Sequence, residues 1–221
     1  MMLDHNQLRE ERLIAGFLVQ PQKYPPGPFD RSQLAMVYSK VTQKYDYPSF
    51  NQLPNGAVML QPATQSHVQL QELLVQVNEA IPIHFDATKD RVLDIFEIVT
   101  RHFQLDTFNN FGVKLIARWP VSGDNQASKF LEDKYFKISE TSFGILGPGR
   151  DASGMRFHFN RADSRYNLRI EPQIQDLSKL WIELEIQYRG SFKGLKEFGP
   201  HMQAAYNYLF TEVRNFLESP A

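Results

Sequence analysis

Apolar and polar residues alternate most regularly between Met155 and Arg189. Met155, Phe157 and Phe159 alternate with Arg156, His158 and Asn160, and Tyr166, Leu168 and Ile170 with Asn167, Arg169 and Glu171. Further on, Leu180, Ile182, Leu184, Ile186 and Tyr188 alternate with Trp181, Glu183, Glu185, Gln187 and Arg189. A period of two puts one set on each face of a sheet, so three strands with one apolar and one polar face are predicted. Near Pro200 the period changes. Met202, Ala205, Leu209, Val213 and Phe216 recur at helical spacing, and proline is well suited to the first turn of that helix.

Upstream, Leu13–Gln20 reads as a first strand, followed by a stiff connection carrying Pro21, Pro25, Pro26 and Pro28. Asp30 and Gln33 have the spacing of a capping box before a helix with Leu34, Val37, Tyr38, Val41 and Tyr45. Tyr47-Pro48 closes that helix, and Pro54-Asn55-Gly56 is a turn. Strands are expected at Ala57–Gln61, His67–Gln71 and Leu73–Asn78, the last two as a hairpin kinked near Glu72. Thr88 is placed as the cap of a second helix bearing Val92, Ile95, Phe96, Val99 and Phe103. Phe111–Trp119 is a strand with Val113, Leu115, Ala117 and Trp119 on one face. A short helix over Gln126–Phe136, a strand over Thr141–Leu146 and a loop over Gly147–Asp151 complete the reading.

The order strand, helix, several strands, helix occurs twice, over residues 12–107 and 108–219. Two such units can join into one α+β domain spanning residues 1–221. Its long, curved antiparallel sheet would carry helices on one face, as in a TATA-binding-protein-like saddle or a helix-grip fold. The polar strand faces would then line a concave surface.

Composition narrows the chemistry by exclusion. The 221 residues contain no cysteine, which removes disulfides, thiolate nucleophiles and cysteine-ligated metals. The net charge of -1 gives no general attraction to nucleic acid or anionic lipid. Lysine and arginine number nine against twelve acids in residues 1–107, and fifteen against thirteen beyond, an asymmetry too small to name a partner. No apolar run approaches the roughly 20 residues of a membrane span, and Met1–Arg12 is polar. A cytoplasmic protein without membrane contact is expected.

Three segments, Val68–Gln71, Phe111–Trp119 and Tyr166–Pro172, resemble in order and spacing a group of sporadically distributed prokaryotic proteins of unestablished function. That group has a Val/Gln/Leu strand before a helix, then a strand ending in a basic residue, then a hairpin and a C-terminal helix. The resemblance spans nearly the whole chain, departing at Arg12–Gln20, where the group opens on a proline-led strand. It implies no catalytic residues. The patchy occurrence of such proteins implies mobile or defence-linked genes such as toxin–antitoxin pairs.

None of the histidines His5, His67, His84, His102, His158 and His201 falls in a metal-binding spacing. His84 with Asp86 reads as a loop entering a helix, and no metal or cofactor is expected. Gly144–Arg150 lacks the Lys-Ser/Thr end and following helix of a phosphate loop. Glu183 and Glu185 share a strand face about 7 Å apart, with Arg156, Arg169 and Arg189 as plausible cross-strand partners.

The polar face is the candidate binding surface: Trp181 as anchor, with Arg156, Arg169, His158, Arg189, Arg118 and Lys114. Trp181 admits two readings, an interface anchor or additional core beneath a loop. Tyr206, Tyr208 and Phe210 widen the apolar side of the last helix. Either a homodimer or partner contact, or cover from residues 21–28, would satisfy them. A non-enzymatic module presenting its concave face to a protein partner is expected. Nucleic-acid or nucleotide binding on the same face, and an enzyme with a His158-centred pocket, are the alternatives.

Overall fold

In the computed structural model, residues 3, 7–20, 29–81, 84–122, 126–137, 140–145 and 152–219 are described. The proline-rich connection at 21–28, His5 and the Gly147–Asp151 loop lie outside them. The strands are β1 (Arg9–Val19), β2 (Ser49–Leu53), β3 (Gly56–Gln61), β4 (Ser66–Gln71), β5 (Leu74–Ala80), β6 (Thr107–Pro120), β7 (Met155–Asn160), β8 (Ser164–Gln173) and β9 (Asp176–Lys193). They form one nine-stranded sheet in the order β2-β3-β4-β5-β1-β6-β9-β8-β7, with every pairing antiparallel. Helices α1 (Arg31–Thr42), α2 (Phe85–Phe103), α3 (Gln126–Leu131), α4 (Glu140–Gly144), α5 (Phe198–Tyr208) and α6 (Arg214–Glu218) connect or follow them. The expected α+β architecture, a long antiparallel sheet covered by helices on one face, is present.

Strand alternation drives this layering. Leu13, Ala15, Phe17 and Val19 of β1, Val113, Leu115, Ala117 and Trp119 of β6, and Leu180, Ile182, Leu184 and Ile186 of β9 are all at most 1% exposed. They meet Leu34, Val37 and Val41 of α1, Val92, Ile95, Phe96 and Val99 of α2, and Phe198, Met202 and Ala205 of α5 in one core. Beneath the middle of the sheet the core is aromatic. Phe198 stacks on Phe111 at 4.0 Å and 6°, and Phe17, Phe108 and Phe192 lie 5.5, 5.7 and 5.6 Å from it.

One carboxylate enters the core side. Glu79, 2% exposed, accepts a hydrogen bond from the Tyr47 hydroxyl and pairs with Arg91 Nε at 3.2 Å. The Arg91 guanidinium lies 4.8 Å over the Tyr45 ring and 5.4 Å over that of Tyr47. Burial raises the Glu79 pKa, against the opposing pull of Tyr47 and Arg91. The network ties α2 and the segment after α1 to the sheet, because a buried carboxylate is tolerated only when its oxygens are partnered.

Several local expectations change. Asp30 caps α1 by accepting from Ser32 N at 2.7 Å. Strand β2 had no clear alternation, yet it pairs with β3 across Pro54-Asn55, its Phe50 stacked on Tyr38 at 4.7 Å. Helix α2 begins at Phe85 with His84 at the cap position. Thr88 is therefore inside it, its hydroxyl donating to the His84 carbonyl at 3.3 Å. The strand expected at Thr141–Leu146 is instead the helical turn α4. Its five residues alternate too briefly to define a type, and Ile145 just beyond is 84% exposed. The last helix contains a π turn at Leu209–Val213. The wider turn shifts the buried stripe, so Leu217 is buried and Phe216, expected inside, is 36% exposed. Tyr206 stacks on Phe85 at 4.3 Å and Tyr208 packs on Tyr166 at 5.0 Å, so both rings find contacts within the chain.

Candidate functional site on the open sheet face

The face opposite the helices carries every other residue of each strand, and the pairing register sets them in rows. One row runs Asn78, Ile14, Lys114, Glu185, Asn167, His158. Its neighbours run Ile116, Glu183, Arg169, Arg156, and then Arg118, Trp181, Glu171. On the other side lies Gln76, Gly16, Gly112, Gln187, Arg165, Asn160. Lys114, Arg118, Arg156, His158, Arg169 and Trp181 thus share one face. Arg189 reaches the same face at the far end of β9.

Three cations of this face, Lys114, Arg118 and Arg169, pair with carboxylates, while Arg156 and Arg189 meet amide side chains. Lys114 Nζ lies 3.5 Å from Glu183 and 3.7 Å from Glu185, and Gln187 donates to Glu185 at 2.9 Å. Arg118 meets Glu11 at 2.9 Å. Arg169 and Arg156 stand directly opposite one another, an unfavourable juxtaposition of like charge, and their side chains turn apart. Arg169 donates to Glu171 at 2.9 Å with its guanidinium 5.2 Å over the Trp181 ring. Arg156 donates to Asn167 at 3.1 Å, and Arg189 to Asn160 at 3.4 Å. The expected pairing of the arginines with Glu183 and Glu185 is therefore replaced by Lys114, which sits between both carboxylates on the adjacent strand. Trp181 is half-buried on the open face. His158 is exposed on the edge strand β7, outside the central depression.

That depression, about 590 Å³, lies over the two middle strands. Its floor is the directly paired Gly16 and Gly112. Ile14, Leu18 and Leu74 give it apolar sides, and Gln76, Lys114, Glu185, Gln187 and Arg189 a polar rim. Toward β4 the face continues in amides, with Gln69 donating to Gln71 at 2.6 Å. Arg12 is consumed by the Asn78 side chain at 2.6 Å and the Gln65 and Thr64 carbonyls at 3.1 and 2.5 Å. Burial, and then the nearby Arg12 charge, lower the His67 pKa. The glycine pair and the glutamine rim escaped the reading of the sequence. The available signal was a glycine inside an otherwise strand-like run in the first strand of each half, Ala15-Gly16-Phe17 and Phe111-Gly112-Val113.

No protein-family model and no curated protein matches the sequence. Among solved structures, Methanococcus jannaschii TBP aligns with 94% of this chain and 98% of its own, at a TM-score of 0.34 and 9% identity. The S. pombe Pct1 RNA triphosphatase in complex with the Spt5 CTD aligns at a TM-score of 0.13 and 8% identity, over 98% of this chain and 87% of its own. Among the described residues no group of histidines and acids could hold a metal ion, and no helix is long and apolar enough to cross a membrane.

Proposed function

We propose that the chain is a binding module whose open sheet face receives a polypeptide segment of a partner protein, seated over the central depression. The observation that supports this reading is Lys114, on the rim of the 590 Å³ hollow, held between Glu183 and Glu185, with Arg118 and Arg169 likewise paired to carboxylates farther along the same face. A phosphate backbone needs unpaired cations in a row, and here Lys114 stands between two glutamates that would repel it. A polypeptide offers amides and side chains of both signs. It can exchange hydrogen bonds with Gln76, Gln187 and Asn167 and ion pairs with the rim. Trp181, with Arg169 above it, is the second anchor on the same face. The setting anticipated from the resemblance, a defence-linked or toxin–antitoxin pair inside the cell, belongs to this proposal.

A photo-crosslinking amino acid at Gln187 tests it in the host cell, with Met36 on the exposed side of α1 as control. A protein adduct at Gln187, absent at Met36 and lost when Gly112 is replaced by leucine, is the expected result. Tight binding of random-sequence DNA or RNA by the purified protein, falling steeply between 50 and 200 mM salt, would overturn the reading in favour of nucleic acid.

A further inference from the structure

Gly112 is a residue the fold does not require to be glycine. Its φ is not in the left-handed region, where only Gly190 and Gly194 are found among the described glycines. A Cβ built on it would meet only the Gly16 carbonyl oxygen, at 3.9 Å. Gly16 differs, since a Cβ there would lie 3.0 Å from the Val75 oxygen and 3.3 Å from the Gln76 Cβ. Packing explains Gly16 and leaves Gly112 unexplained. Glycine inside a strand is a stability cost, and one recurring reason to bear it is the close approach of another molecule to the backbone.

Resting on the polypeptide reading above, we infer that the floor formed by Gly16 and Gly112 seats a planar aromatic side chain, tyrosine or tryptophan, of the partner. The paired glycines expose flat peptide planes with no Cβ between them. A branched aliphatic side chain finds no hole there to fill, whereas a ring laid flat touches the floor over its whole area. The floor is held from below by Phe17 and Phe111, both at most 1% exposed. Gln76 and Gln187 lie in the same row, one strand beyond each glycine. Three strand spacings put their backbones about 14 Å apart, so their side chains leave room for one ring. Their carboxamides can receive a phenol or indole N–H at its edge. Lys114 and Arg189 on the rim favour the electron-rich face of such a ring.

The test follows the Gly16 and Gly112 backbone amides by ¹H–¹⁵N NMR during titration with N-acetyl-tryptophanamide, N-acetyl-tyrosinamide, N-acetyl-leucinamide and AMP. Ring-current shifts at both glycines with the two aromatic amides and none with the leucine amide are expected. Gly112→Leu, which the space above the strand accommodates, should cut the Gly16 shift at least tenfold with its circular dichroism unchanged. Equal shifts with the leucine amide would overturn the aromatic assignment while leaving the polypeptide face standing. Shifts with AMP alone would overturn both. No shift with any probe at millimolar concentration would overturn the aromatic seat.

Discussion

Replacing Gly112 by alanine should make the protein more stable. In the folded state the new methyl meets nothing nearer than 3.9 Å, an ordinary van der Waals distance. In the unfolded state it removes backbone freedom that glycine must lose on folding, worth about 0.4–1 kcal/mol. The same change at Gly16 forces a methyl to 3.0 Å from a carbonyl oxygen of the neighbouring strand, and should cost about 1 kcal/mol or more as the strands part. At Gly56 the clash with the Leu70 carbonyl oxygen is direct, and the loss should be the largest of the three. Urea unfolding followed by circular dichroism gives the ranking, with the midpoint of Gly112→Ala above wild type at equal slope. For a chain of this length each kcal/mol moves Tm by about 2–4 °C. A Gly112→Ala midpoint below wild type, or as low as that of Gly16→Ala, would show that the fold itself demands glycine there, and would remove the reason to seek a ligand.

Three further outcomes are expected. Phe198→Ala should destabilise by about 3–5 kcal/mol in the same unfolding assay, because the ring packs among five other phenylalanines and leaves a large cavity; a loss below about 1 kcal/mol would contradict the packing. Glu79→Gln bears on pH. The folded Glu79 pKa lies above its ordinary value of 4.5, so between those two values the folded state holds more proton than the unfolded. Stability relative to the glutamine variant should therefore fall as pH rises from 4.5, and a difference that grows with pH in paired urea melts would reverse the assignment. Finally, Trp119 is 0% exposed while Trp181 is half-buried on the open face, so acrylamide should quench one tryptophan population. That population should vanish in Trp181→Phe; its persistence would place Trp181 in the core.

Strand type and facing were readable wherever alternation ran for three pairs or more. β6, β8 and β9 follow the expected alternation with their inward residues buried, because one buried face forces the period, whereas on the edge strand β7 only Met155 is buried and Phe159 is 41% exposed. β2 was missed because Ser49–Leu53 lies at the sheet's edge, where only half-burial is demanded and polar residues intrude. The helical turn at Glu140–Gly144 falls where the sequence predicts a strand, Thr141–Leu146, because so short a run satisfies either period. The fate of Phe216 depended on a single extra residue in a π turn, which no helical wheel anticipates. For the candidate site, the shared face of Lys114, Arg118, Arg156, Arg169 and Trp181 followed from alternation within strands. Which cation meets which carboxylate did not, since it depends on register between strands distant in sequence. The glycine floor was hidden for the same reason, as Gly16 and Gly112 become neighbours only when β1 and β6 are placed side by side.

Strand lengths taper across the sheet, from 11, 14 and 18 residues in β1, β6 and β9 to 5 in β2 and 6 in β7 at its margins. An open sheet ends in unsatisfied amides and carbonyls that invite another chain to zip on. Short borders shrink that invitation, and on β7 Arg156 adds like charge against a second copy. Lateral growth into fibres is thus discouraged at the rims, while the broad middle keeps the rigidity that docking requires.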